Sequence, residues 1–174
     1  MNDTTSEHGN YHKLAELIKD VRVAMMSTVS NGRTYPAGSP LRTRPMYTQR
    51  IDPETFSGQL WFFSEASSSK VAEIETNDNV LLTYASPDKN RYVAVSGTAH
   101  CEHNAEKARE LWNIHAKGWW PDGPESQDLI LIGVQIESAE YWDGPSNMSY
   151  MIELLSSVVT GKRIGPVGEH GTVG

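Results

Sequence analysis

The stretch Leu60–Thr76 gathers the residues best suited to chemistry. Leu60-Trp61-Phe62-Phe63 is apolar and aromatic. Ser64 begins a change to small polar residues, Ser67, Ser68 and Ser69 present three hydroxyls in a row, and Lys70 follows. Val71 and Ile74 then fall at helical spacing. The pattern reads as a strand running into a helix N-terminus. The serines can cap that helix. Free amides, hydroxyls and Lys70 converging at an electropositive helix end suit a phosphate. The same residues also describe an ordinary N-cap followed by a solvated lysine, so this stretch alone leaves both readings open.

Other candidates are more scattered. Arg44-Pro45-Met46 sets a permanent cation beside a residue with no backbone donor, which suits an anion or ring contact at a strand end, or simply an edge strand. Trp119-Trp120 and Tyr141-Trp142 can serve the core or stack on a planar ligand. Together with the serine–lysine stretch they describe a site for a flat, phosphorylated molecule. Neither a Gly-x-Ser-x-Gly elbow nor a Walker glycine loop occurs. Of the six histidines, His8 and His12 lie near the start of the chain. His100 and Glu102 face opposite to Cys101 and His103 on a strand, which splits any ligand set, so no metal site is expected. His115, near the end of a predicted helix, reads as a partner of the helix C-terminal dipole.

The elements that must position these residues follow from periodicity. Residues 1–10 read as polar and frayed, and Tyr11–Arg22 as a helix with Leu14, Leu17, Ile18 and Val21 inward. Val23–Ser30 reads as a strand, Asn31-Gly32 as a hairpin turn, and Thr34–Arg44 as a return strand with Pro36 and Pro40 marking an edge. Tyr47–Gln59 reads as a connecting loop, Leu60–Ser64 as a strand, Lys70–Thr76 as a short helix and Val80–Ala85 as a strand. Tyr92–His100 is a strand with Gly97 at a bulge, Asn104–His115 a helix, Gly118–Asp128 a loop, and Leu129–Ser138 a strand prolonged through Ala139–Trp142. Met148–Val159 has a helical pattern, and the glycine-rich end reads as a tail. Hairpin-like succession without regular strand–helix alternation predicts an α+β chain, mainly β, with an antiparallel sheet closed into a small barrel.

Composition sets the remaining bounds. A chain of 174 residues with 38% hydrophobic and 21% charged residues fits one soluble domain, spanning 1–174 with flexible ends at 1–10 and 162–174. A net charge of −7 argues against nucleic-acid or anionic-membrane partners. One cysteine allows no internal disulfide and fits a reducing, cytoplasmic setting, and neither a signal-peptide pattern nor a membrane-length apolar run is present.

Five motifs in order resemble the bacterial general stress protein family of FMN-binding split barrels related to pyridoxamine 5′-phosphate oxidase. They are Arg44-Pro45-Met46, Leu60-Trp61-Phe62-Phe63-Ser64, Ser68-Ser69-Lys70-Val71, Tyr92-Val93-Ala94-Val95-Ser96-Gly97 and Glu140-Tyr141-Trp142-Asp143, spread between about Leu14 and Gly161. The resemblance implies a six-stranded antiparallel split β-barrel with flanking helices, and a homodimer with two FMN sites at the subunit interface. It implies that Ser69 and Lys70 contact the phosphate with Ser68 beside them. Phe63 and Ser64 would lie near the ribityl chain, and Arg44, Pro45 and Met46 along the flavin. Tyr92, where the oxidase branch has glutamine, would reach over from the partner subunit, and Trp142 would lie beside the ring. Ser69 stands where the oxidase branch has arginine.

The function this implies is a stress-associated FMN flavoprotein acting in redox chemistry on a small molecule. The alternatives are a non-catalytic flavin-binding or storage module and a protein-interaction platform. The oxidase branch places basic residues after the ring tryptophan. Here Trp142–Tyr150 contains no arginine, lysine or histidine, so weak oxidation of pyridoxamine phosphate is expected.

Overall fold

The computed structural model of the chain describes residues 3–30, 41–145 and 168–173. The Asn31-Gly32 turn, Pro36, Pro40, the Met148–Val159 helix and most of the stretch after Trp142 lie outside the described residues. Helix α1 spans Asp3–Ile18, so it starts before the expected Tyr11: Asp3, Thr4, Thr5 and Ser6 are start-type residues, and no proline interrupts them. Strands β1 (Val23–Val29), β2 (Leu41–Tyr47) and β3 (Gln59–Glu65) precede helix α2 (Ser69–Thr76). Strand β4 (Asn79–Ser86) passes through a 3₁₀ turn at Pro87–Lys89 into β5 (Arg91–Glu102). Helices α3 (Ala105–Leu111) and α4 (Ile114–Trp119) lead to the long β6 (Leu129–Asp143), and β7 (Glu169–Val173) follows.

The predicted single helix over 104–115 is two helices. Trp112 is extended, and Asn113 starts a new helix by accepting the amides of His115 and Ala116, both at 3.0 Å. His115 therefore sits in the first turn of α4, not at a helix C-terminus. The predicted tail holds β7, which pairs with the end of β6 and buries Val173.

The strands form one antiparallel, seven-stranded sheet in the order β2-β1-β4-β5-β6-β3, with β7 also on β6. The mainly-β antiparallel expectation holds; among the described residues the sheet has seven strands where six were expected of the barrel. Among the described residues no continuous ladder closes the sheet. Its two edges meet at one bridge, Thr48↔Phe62, beside a 2.9 Å bond from the Gln49 amide to the Trp61 carbonyl. The register shifts at Ser96/Gly97, the bulge read from the sequence; a side chain at Gly97 would run into the Gln135 carbonyl.

Alternation fixes the core. Ala24 and Met26 of β1, Leu60 and Phe62 of β3, Leu82 and Tyr84 of β4, and Val93 and Val95 of β5 point to one interior, where α1 adds Leu14, Leu17 and Ile18. Each such large apolar side chain contributes on the order of 1.5–3 kcal/mol. On the other face of β3 and β6, Ala108, Leu129 and Leu131 pack with Trp61, Phe63, Trp112 and Trp120. That second cluster fastens α3 and α4 beside the end of β3 and walls a cleft there. Among the described residues no helix is long and apolar enough to cross a membrane.

Candidate functional site

Strand β3 ends at Glu65, and the chain turns so that the Ser68 amide donates to the Glu65 carbonyl at 3.1 Å before α2 begins. Ser68 occupies the N-cap with extended backbone, yet its side chain makes no capping bond. Its hydroxyl lies 3.1 Å from the Ser64 hydroxyl, and Lys70 Nζ donates to that same Ser64 oxygen at 3.0 Å. Ser64 and Ser68 are thus turned toward the lysine; among the described residues no side chain caps the first-turn amides, of which that of Val71 donates to the Ser68 carbonyl at 3.1 Å, leaving those of Ser69 and Lys70 to an anion. Among the described residues Lys70 has no carboxylate partner within ion-pair distance. Burial, then the neighbouring positive charge of Arg44, pushes the Lys70 amine below its usual value of 10.5.

A buried charge cluster holds this helix start from behind. Glu73, one turn into α2, accepts Arg42 Nη1 at 2.8 Å, Arg44 Nη2 at 2.6 Å and the Thr28 hydroxyl at 2.6 Å. Burial pushes the Glu73 carboxyl up. The Thr28 hydroxyl and the two guanidinium groups outweigh it and hold the carboxyl below its usual value. Arg42 Nη1 also donates to Ser69 Oγ at 3.1 Å, and Arg44 Nη1 to Thr28 Oγ1 at 2.6 Å.

In front of the helix start lies a cleft of about 520 Å³, within the usual range for small-molecule sites. Of the residues singled out in the sequence, Pro45, Met46, Phe63, Ser64 and Lys70 line it. Ser68 joins through its bond to Ser64, and Ser69 faces Arg42. Arg44 does not line it: its guanidinium is spent on Glu73 and Thr28. Pro45 is tolerated because β2 is an end strand of the sheet path. Trp119 and Trp120 do reach the cleft, with Trp120 edge-on to Phe63 at 5.9 Å between ring centroids.

Tyr92 and Trp142 lie elsewhere. They are cross-strand neighbours, 42% and 43% exposed, and Trp142 stacks on His170 at 5.1 Å. Ser64 pairs with Ile130, and from Ile130 to Trp142 is roughly 40 Å of strand at ~3.3 Å per residue.

Tyr47, Gln49, Asn113 and His115 also line the cleft and were missed. Gln49 is buried, donates to the Tyr47 carbonyl at 3.3 Å and accepts from Asn113 Nδ2 at 2.7 Å. The Tyr47 and His115 rings lie 5.1 Å apart. Asn113 carried the one usable signal, a capping residue inside a helical pattern. The histidine and cysteine group has structural partners: His100 packs edge-on against Trp61, and His103 Nδ1 lies 3.0 Å from the Leu129 carbonyl.

Residues 9–165 match the family model described as pyridoxamine 5′-phosphate oxidase like. Solved structures share the fold. General stress protein 26 of Jannaschia sp. CCS1 is 19% identical, with a TM-score of 0.74, covering 96% of this chain and 98% of that one. General stress protein 26 of Bacillus anthracis str. Sterne is 21% identical with a TM-score of 0.60, over 77% of this chain and 92% of that one. The general stress FMN/FAD binding protein of Xanthomonas citri is 20% identical with a TM-score of 0.63, over 78% and 89%. A curated relative, protein bli-3 of Neurospora crassa, is 24% identical over 112 residues, 59% of this chain; the match spans 54% of that relative's length.

Proposed function

The chain belongs to the pyridoxamine 5′-phosphate oxidase-like family, and on that premise we propose that it is an FMN-binding stress flavoprotein working on a small molecule. The observation that carries the reading is Lys70: a half-buried cation that, among the described residues, has no carboxylate partner and donates to the Ser64 hydroxyl, itself bonded to Ser68 at the start of the helix. Desolvating a lone ammonium is unfavourable, so the site is built for an anion that arrives with the ligand. A phosphate there would extend the attached molecule along the cleft, between Pro45 and Met46 on β2 and the Phe63–Trp120 wall. The Xanthomonas citri neighbour is a flavin-binding stress protein, which supports this choice of ligand. A flavin, when bound, supplies the electron or hydride chemistry. The chain's own part is to neutralise the phosphate, fix the ring and limit water.

The functional unit in this proposal is a homodimer of split barrels sharing two FMN sites. Val23 and Pro45, at the cleft, continue into an uncharged outer sheet face with exposed Met25, Leu81 and Leu41. The register aligns them: Met25 opposes Pro45 and Thr83, Ser27 opposes Leu81, and Val29 opposes Leu41. An apolar patch of this kind supports a subunit contact there. A second copy across it is also the simplest way for Tyr92 and Trp142 to meet a flavin at Lys70, since one copy holds them at opposite ends of β6.

The test is titration of flavin-stripped protein with FMN and with riboflavin, followed by flavin fluorescence. FMN should bind at least about tenfold more tightly, because a charge-assisted phosphate contact is worth ~1.5–3 kcal/mol. Equal affinities would remove the phosphate site from the account. Turnover of the loaded protein with NADH or NADPH supports a redox enzyme; its absence favours a flavin-storage module.

A further inference from the structure

A second cavity, of about 720 Å³, shares a wall with the cleft. Tyr47, Gln49, Asn113 and His115 line both spaces, so the partition is the Gln49–Asn113 hydrogen bond and the Tyr47–His115 ring contact. Its inner walls are aromatic: Phe56, Trp61 and Trp112. Three cations line it, Arg22, Arg50 and Lys107, against two acids, Asp52 and Glu110. Lys107 is already paired with Glu110 at 2.9 Å and lies over the Trp61 ring. Asp52 Oδ1 accepts the Glu54 amide within its own turn at 3.1 Å. Among the described residues, the ion pairs include neither Arg22 nor Arg50, and both are exposed. In a chain of net charge −7, two arginines without carboxylate partners over an aromatic floor form a locally positive pocket.

We propose that this cavity is a binding compartment for a planar organic anion, an aromatic carboxylate, seated beside the flavin cleft. Arg22 and Arg50 would meet the carboxylate, for which a guanidinium fork is matched in geometry. Trp61, Trp112 and Phe56 would take the ring. The placement beside a flavin rests on the reading given above; the anion site itself rests only on this cavity. The shared wall brings such a ligand to the edge of the cleft without occupying it.

The test is calorimetric titration of the FMN-loaded protein with 2-naphthoate and with its uncharged counterpart, 2-naphthalenemethanol. Naphthoate should bind about tenfold more tightly than the alcohol, and the advantage should shrink between low and high salt. In Arg22→Ala/Arg50→Ala the two ligands should become nearly equal, while FMN affinity stays unchanged. Equal affinities in the unsubstituted protein, an advantage that survives the double substitution, or release of FMN by naphthoate would each overturn the proposal. If the protein takes up no FMN, the flavin reading fails separately, and the same titration of the flavin-free protein still decides the anion site.

Discussion

Replacing Glu73 tests how the helix start is held. Its side chain is only 5% exposed and accepts three hydrogen bonds, from Arg42, Arg44 and Thr28. Removing one partner of a buried ion pair costs ~3–5 kcal/mol, because the remaining charges stay partly desolvated. Arg42 and Arg44 keep 24% and 17% exposure, so water recovers part of that loss and the low end applies, about 3 kcal/mol. At ~2–4 °C per kcal/mol for a domain of this size, Glu73→Gln should lower Tm by about 9 °C. The pH dependence has a definite sign. The folded carboxyl titrates below its usual value of 4.5, so the stability it contributes is present above that value and lost as pH falls through the lowered one. The gap between the two proteins should therefore be full at pH 7 and close in acid. Thermal melts followed by circular dichroism across that range decide it. A Tm change under about 2 °C at pH 7, or a gap that widens in acid, would refute the clamp.

Three further outcomes follow from the site. Lys70→Ala should weaken FMN by roughly ten- to a hundred-fold in fluorescence titrations while riboflavin binding changes little; the fold should not suffer, since the substitution removes a desolvated charge. Because burial and Arg44 hold the Lys70 amine below 10.5, FMN affinity should fall as pH is raised, starting before pH 10.5 is reached, as the amine loses its proton, and the Lys70→Ala protein should lack that step. Pyridoxamine phosphate should be a poor substrate: Trp142–Tyr150 has no cation, and Asp143 is taken by Arg91 at 2.9 and 3.1 Å; pyridoxal phosphate formation by the FMN-loaded protein at about one turnover per second or faster, an ordinary enzyme rate, would contradict this.

Local signals were legible where they coincide with tertiary demands. The abrupt change at Ser64–Lys70 gives both the strand end and the helix start, and Gly97 gives the bulge. Long-range features were not. Nothing within Glu169–Val173 specifies a strand, because its partner is the end of β6, far away in sequence. The break between α3 and α4 depends on Asn113, which must cap α4 while also donating to Gln49. Arg44 was visible as a strand-end cation, but its turn toward Glu73 depends on α2 packing against β1 and β5 beside it. Tyr92 and Trp142 follow the same logic: both are visible as aromatic residues, whereas their place at the far end of β6 from Ser64 depends on how β5, β6 and β3 pair.

The central claim is a dimer that shares flavin sites, and sedimentation velocity read at both 280 nm and the flavin band near about 450 nm tests it most directly. One dimeric species at micromolar concentration should carry one FMN per chain, with loss of flavin as dilution produces monomer. Flavin travelling with a monomer, or a dimer that takes up no FMN, would contradict it.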